Sequence, residues 1–213
     1  MAITDQQQLS EVQYHLLETV DNGLTIASGL WTVAEVVAYF NQRQDRFNKD
    51  TGIILIRANQ AVAANDVRVE ITGNTVISVR RAAFLRNSVY TPIPRADAFD
   101  ADMGQPAWRA DVTTSVPLEF SETEEPTKTL QFMPRFNFAG TLHLLFSALG
   151  TALSNSGVNF TVPDECVPAI KWGVISDMLA KVGRAQDPLR AAWAESRYQE
   201  GVEAIRLHLG GGP

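Results

Sequence analysis

The sequence predicts an α+β protein whose N- and C-terminal helices pack as a bundle, with a β-rich antiparallel insert in the middle of the chain. Three observations predict it: apolar residues spaced by three and four at both ends, proline-broken alternation between them, and cap residues where each helical pattern starts. At about 100–200 residues per domain, a chain of 213 residues makes one large domain or two small ones. The pattern divides it into a helical domain over residues 1–52 plus 163–213 and a β-rich insert over residues 53–162.

The first helix is read from Thr4 to Asn22. Leu9, Val12, Leu16, Leu17 and Val20 form its stripe, Thr4 and Gln7 fit a capping box, and Gly23 offers a left-handed stop. The second, Thr32 to Asp50, is better marked. Thr32 and Glu35 make a capping box, Trp31 is placed to staple onto Val36, and Val33, Val36, Val37, Phe40, Gln44 and Phe47 follow the helical period to a stop at Thr51-Gly52. Asn41, Arg43, Asp45, Arg46 and Lys49 on its other face read as solvated surface.

The middle, Ile53 to Phe146, changes period. Val67, Val69 and Ile71 alternate with polar residues, Gly73-Asn74 supplies a turn, and Thr75 to Val79 returns, which predicts a hairpin. Further strands are predicted at Phe84–Arg86, Val112–Val116, Leu118–Phe120, Thr129–Met133 and Thr141–Phe146. Pro92, Pro94, Pro106, Pro117, Pro126 and Pro134 separate them, because proline cannot donate to a central ladder. The longest run without Asp, Glu, Lys or Arg, Phe136 to Pro163, has the length of a membrane span. Asn137, His143, Asn155, Gly157 and Asn159 interrupt it, so no membrane contact is expected.

Two helices close the chain, Asp164–Val182 and Pro188–Leu209. Val167, Ile170, Val174, Met178 and Val182 share a face, Gly173 leaves room for another backbone, and Gly183 ends the first. Asp187-Pro188 then combines an N-cap with proline at the first helical position. Trp31, Phe40, Trp172, Met178, Trp193 and Tyr198 are the core or interface candidates. The tail from Leu207 to Pro213 is either frayed or ordered by a partner.

Composition narrows the function. With 45% hydrophobic and 20% charged residues the chain is ordinary globular material. A net charge of −6 argues against a free-standing nucleic-acid binder. The single cysteine, Cys166, excludes an internal disulfide, and MAITDQQQLSEV lacks the basic start and apolar stretch of a secretory signal, so synthesis in the cytoplasm is expected. No nucleophile elbow, phosphate loop or dinucleotide fingerprint occurs, and His15, His143 and His208 fall in three separate elements, so neither a metal nor a cofactor is predicted. Cys166 starts a helix, which favours a thiolate, but Asp164 and Glu165 oppose it. Asp97, Asp100 and Asp102 lack calcium-loop spacing and read as a solvated turn. Asn159-Phe160-Thr161 is a chance sequon match.

Charge distribution says more. From Gln42 to Arg95, basic residues outnumber acidic ones nine to four; from Ala96 to Glu125, acidic residues outnumber Arg109 eight to one. Such polarity suits head-to-tail contact between copies or pairing within one chain, and the two stay open. The candidate subunit or partner interface comprises Arg80, Arg81, Asp97, Asp100, Asp102, Glu122, Glu124 and Glu125, with Trp193 and Tyr198.

Three segments carry a family likeness: Leu30-Trp31 leading into EVVAYFNQRQDRFNKDTG (Glu35 to Gly52), RADAFDADMGQPAW (Arg95 to Trp108), and PAIKWGVISDMLAKVGRAQDPLRAAWAESRYQEGV (Pro168 to Val202). In these the chain resembles the head-to-tail adaptor, or connector, proteins of tailed bacteriophage necks. The resemblance implies a virion structural subunit with no catalytic residues. It implies a homo-oligomeric ring, typically of twelve copies, with the portal protein on one side and tail tube or nozzle proteins on the other. DNA passes through such a ring without sequence specificity. The β-rich middle is larger than in the smallest helical adaptors. The alternative is a tail or baseplate module that recognises a partner protein or glycan through Trp108 and Tyr90; a hydrolase using Asp97, Asp100 or Cys166 is the third reading.

Overall fold

The computed structural model describes residues 2–18, 20–21, 25–26, 28–71, 75–97, 99, 103, 116–123 and 128–210. The chain forms two compact units, Met1–Ile54 with Leu149–Pro213, and Leu55–Ala148. Helices lie toward both ends of the chain and two antiparallel sheets lie between them, as the α+β reading expects.

The first unit holds α1 (Asp5–His15), α2 (Val33–Thr51), a short 3₁₀ turn (Asp164–Cys166), α3 (Val167–Ala180) and α4 (Pro188–Gly210). Thr4 with Gln7 and Thr32 with Glu35 form complete capping boxes, each satisfying two amides that a helix start leaves without partners. Gly52, at φ 63°, ends α2 in the left-handed conformation. Asp187 caps α4, accepting from the Arg190 amide at 3.1 Å. The first helix stops at His15, well short of Asn22. Leu17 turns left-handed at φ 61°, and the Glu18 amide folds back to the Gln13 carbonyl at 2.9 Å, so Leu17 and Val20 leave the stripe and face solvent. Val182 is likewise exposed, because α3 has already ended at Ala180.

Phe40 and Phe47 of α2, Ile170, Val174 and Met178 of α3, and Ala194, Tyr198 and Val202 of α4 are fully buried together. Each large side chain contributes about 1.5–3 kcal/mol by leaving water. Trp31 is buried too; its indole N–H donates to the Met178 carbonyl at 3.1 Å, so the residue before the α2 cap is tied to α3. Residues 149–162, read from sequence as part of the insert, belong to the helical unit. Their apolar members Leu153, Phe160 and Val162 are buried, and Asn41 clamps the Leu153 backbone through both amide atoms at 3.0 and 2.8 Å.

The second unit contains β1 (Leu55–Val62), β2 (Arg68–Glu70), β3 (Val76–Arg86), β4 (Val89–Ile93), β5 (Glu119–Thr123), β6 (Thr129–Met133) and β7 (Gly140–Ala148). A four-stranded sheet has the order β1-β7-β3-β4 and a three-stranded sheet the order β2-β6-β5. The hairpin expected from Val67 to Val79 does not form. Its two arms join different sheets: Val69 pairs with Leu130 of β6, while β3 pairs with β7 and β4. The tight hairpin is instead β3–β4, where Asn87 and Ser88 take φ 49° and 63°, the double left-handed turn that matches strand twist. Pro92 is tolerated inside β4 because β4 is an edge strand. The Val112–Val116 candidate lies outside the described residues except for Val116. A chain of rings, Phe84 to Phe136 at 5.0 Å, Phe136 to Phe132 at 4.6 Å and Phe132 to Phe120 at 6.2 Å, joins the two sheets in a buried aromatic core.

Candidate interaction surfaces

Strand alternation alone sends one of two adjacent residues inward. Arg80 and Arg81 are both exposed because β3 is bulged there: Val79 faces Phe146 and Arg81 faces Leu145, so Arg80 is the extra residue. Among the described residues neither arginine has an ion-pair partner within 4 Å.

The acidic candidates behave differently. Glu122 is not a surface residue; its side chain is 6% exposed, lying 3.5 Å from Arg95 and 3.4 Å from Lys128 and accepting from the Val79 amide at 2.7 Å. Pairing within the chain therefore accounts for Glu122. Asp97 is exposed and accepts from the Phe99 amide at 2.8 Å, a local turn. Asp100, Asp102, Glu124, Glu125 and Trp108 lie outside the described residues.

Trp193 and Tyr198 separate in the same way. Tyr198 is fully buried and belongs to the core: the Phe47 ring packs edge-on at 6.3 Å and the Arg43 guanidinium sits 4.9 Å from its centre. Burial, with Asp50 nearby, pushes its hydroxyl up to about 12. Trp193 is half exposed and caps an aromatic seam that sequence spacing does not disclose, since its members come from three helices. Trp193 meets Trp172 edge-on at 4.9 Å, Trp172 meets His15 at 4.8 Å, and His15 meets Tyr14 at 5.8 Å. Arg197 lies 5.4 Å from the Trp193 ring, and Arg190 donates to the His15 carbonyl at 3.2 Å. Burial, then Lys171 and Arg190, hold the His15 imidazole below its ordinary range against the pull of Glu11. Tyr14 of this seam is 71% exposed, and Leu17 and Leu189, near its members in sequence, are 91% and 85% exposed.

The face of α2 expected to be solvated is not so at Arg43. That side chain is 7% exposed, bonds both oxygens of Asp177 at 2.6 Å, and lies 2.8 Å from Glu195. Gly173 makes room for it: a Cβ there would lie 2.8 Å from Arg43 Cδ and 2.9 Å from Tyr198 Cδ2, so the close neighbour is a pair of side chains and not a backbone. Asp177 and Glu195 are ordinary helix-surface residues in sequence, and only the three-helix packing reveals them as partners.

Cys166 is buried, and burial with Glu165 pushes its thiol up to about 11, so it stays protonated near neutral pH. Among the described residues no group of three His, Cys, Asp or Glu side chains converges as a metal site, and no helix is long and apolar enough to cross a membrane.

No protein-family model and no curated protein matches the chain. Among solved structures it is similar to a chain in the neck of an empty gene transfer agent (GTA) particle computed with C6 symmetry, at 15% identity over 97% of this chain and 94% of that one, with a TM-score of 0.30. It is also similar to a chain in the virion of a native GTA particle, at 15% identity over 93% and 92%, with a TM-score of 0.29. Likeness of that depth assigns nothing to this chain.

Proposed function

We propose that this chain is a virion structural protein, a head-to-tail adaptor subunit that joins identical copies in a ring between the portal and the tail, around passing DNA. The three sequence segments that resemble phage adaptors support this reading. The observation that carries it is that Tyr14, Leu17 and Leu189 are left largely in water while Trp172 and Trp193 pack together. Exposed aromatic and leucine side chains that neighbour, in sequence, the members of a packed aromatic seam suit a surface that another chain covers. A ring suits such a surface, because closure multiplies contacts that are individually modest.

Sedimentation of the purified full chain, alone and with portal protein, tests the reading, together with an image of the particle's neck. The expected result is a ring of many copies, twelve in the family's usual arrangement, lost on Leu17→Asp with Leu189→Asp while the melting temperature holds. A monomer that joins neither itself nor portal overturns it. Glycan binding by such a monomer supports the tail or baseplate alternative.

A further inference from the structure

The four strands of the larger sheet carry Arg57, Arg80, Arg81 and Arg86 and no aspartate, glutamate or lysine. This is a basic sheet in a chain of net charge −6. Register brings three of these arginines together. Leu145 of β7 stands opposite Arg57 of β1 on one side and Arg81 of β3 on the other. Directly opposed residues share a face. Leu142, Leu144 and Phe146 point into the core, so Leu145 and its two arginines face outward.

At about 4.8 Å per strand the Arg57 and Arg81 backbones stand roughly 10 Å apart, with Leu145 as an apolar floor between them. The bulge adds Arg80 beside Arg81. The next rows on the face hold Asn59, His143 and Tyr90, the last two with rings 5.0 Å apart. Arg57, Arg80, Arg81 and Tyr90 are exposed. Among the described residues none of these three arginines has an ion-pair partner within 4 Å, whereas Arg86 is laid 3.4 Å over the Phe138 ring.

We propose that this outward face is the socket for the acidic segment between Ala96 and Glu125 of a second copy of the chain. The proposal rests on the ring reading and names the surface through which one copy meets the next. Charge complementarity selects the occupant: that segment carries eight acidic residues against one arginine, and Glu122 alone of the described ones is spent in its own unit. Arginine offers a carboxylate two parallel donors, so three outward guanidinium groups suit an acidic peptide. Socket and segment are different stretches of one chain, so the contact can repeat head to tail from copy to copy, and such a repeat closes a ring when the rotation between copies allows it.

Two charge-reversed full-length variants test it by sedimentation velocity at low and high salt. One is Arg57→Glu with Arg80→Glu and Arg81→Glu; the other is Asp97→Lys with Glu124→Lys and Glu125→Lys. Each alone is expected to associate at least tenfold more weakly than the native chain at low salt. An equimolar mixture is expected to recover association, since every socket then meets a segment of opposite sign. Arg57→Gln with Arg81→Gln, expected to weaken association less, serves if the first variant does not fold. Native-like assembly by both reversed variants overturns the surface and leaves the ring reading standing. A native chain that never assembles overturns both. Loss in the arginine variant alone overturns the acidic occupant, and binding of duplex DNA by the native chain but not by that variant then identifies phosphate as the ligand.

Discussion

Arg43 of α2 bonds both carboxylate oxygens of Asp177 of α3 at 2.6 Å, and its remaining arm lies 2.8 Å from Glu195 of α4. One cation thus ties three helices, with Gly173 leaving it space and the Tyr198 ring beneath it. Removing Asp177 leaves the buried guanidinium with Glu195 alone, and breaking a fully buried pair sets the upper bound on the cost at about 3–5 kcal/mol. Asp177→Ala is therefore expected to lower the urea midpoint sharply. Arg43→Met with Asp177→Leu and Glu195→Gln, which removes all three charges together, is expected to lose less than Asp177→Ala. Equal midpoints for Asp177→Ala and the native chain would show that the pair holds nothing.

Gly173→Ala separates propensity from packing. Alanine in a helix interior gains about 1 kcal/mol over glycine, so an unconstrained site would become more stable. Here the added Cβ meets Arg43 Cδ at 2.8 Å and the Tyr198 ring at 2.9 Å, and both neighbours are pinned. Overpacking of this kind costs about 1–3 kcal/mol. The expected outcome is a lower melting temperature. A rise would mean that the Arg43 side chain yields at no cost.

The helix starts were legible because Thr4, Thr32 and Asp187 act within one turn of chain, and local chemistry can be read locally. Strand partners were not. Val69 and Val79 alternate correctly for a hairpin, yet each is drawn to a different sheet by partners about sixty residues on, Leu130 and Phe146. β1 carries no strand signal in sequence because LIRANQAV has no clean alternation. Charge alone marks Arg80 and Arg81 in the sequence, while their company with Arg57 appears only once β7 is placed between them. In sequence Tyr198 is a core or an interface candidate alike, because a stripe of large side chains looks the same whether covered by a neighbour or by its own α2; the fold buries it.

Asp5 closes a loop far away in sequence. Its carboxylate accepts from the amides of Ser154, Ser156 and Gly157 at 3.2, 3.3 and 2.9 Å, while its own amide donates to the Val158 carbonyl at 2.9 Å. Asp5 is 1% exposed, so the loss of these bonds leaves amides without an acceptor, at about 1–3 kcal/mol for each buried group. Asp5→Ala is expected to speed hydrogen exchange at residues 154–157 well before the chain unfolds globally. Unchanged exchange there would remove the role assigned to Asp5.

His15 predicts the direction of a pH dependence. Burial first, then Lys171 and Arg190, hold its imidazole below the ordinary 6.5, with Glu11 opposing. In the unfolded chain the group takes up a proton as pH falls through about 6.5; in the folded chain it does so only at lower pH. Within that window the unfolded state binds more protons, so stability falls with falling pH and levels off below the folded value. Glu195 adds a loss of the same sign further down. Burial favours its neutral form, but the bonds from Gln199 and the charge of Arg43 outweigh this and hold it below 4.5, so its contribution is present above that pH and is lost on acidification. Urea midpoints between pH 7.5 and 5.5 are expected to decline in the native chain and to stay flatter in His15→Gln, with both chains declining below pH 4.5. A native decline that His15→Gln reproduces in full would assign the upper window to another group.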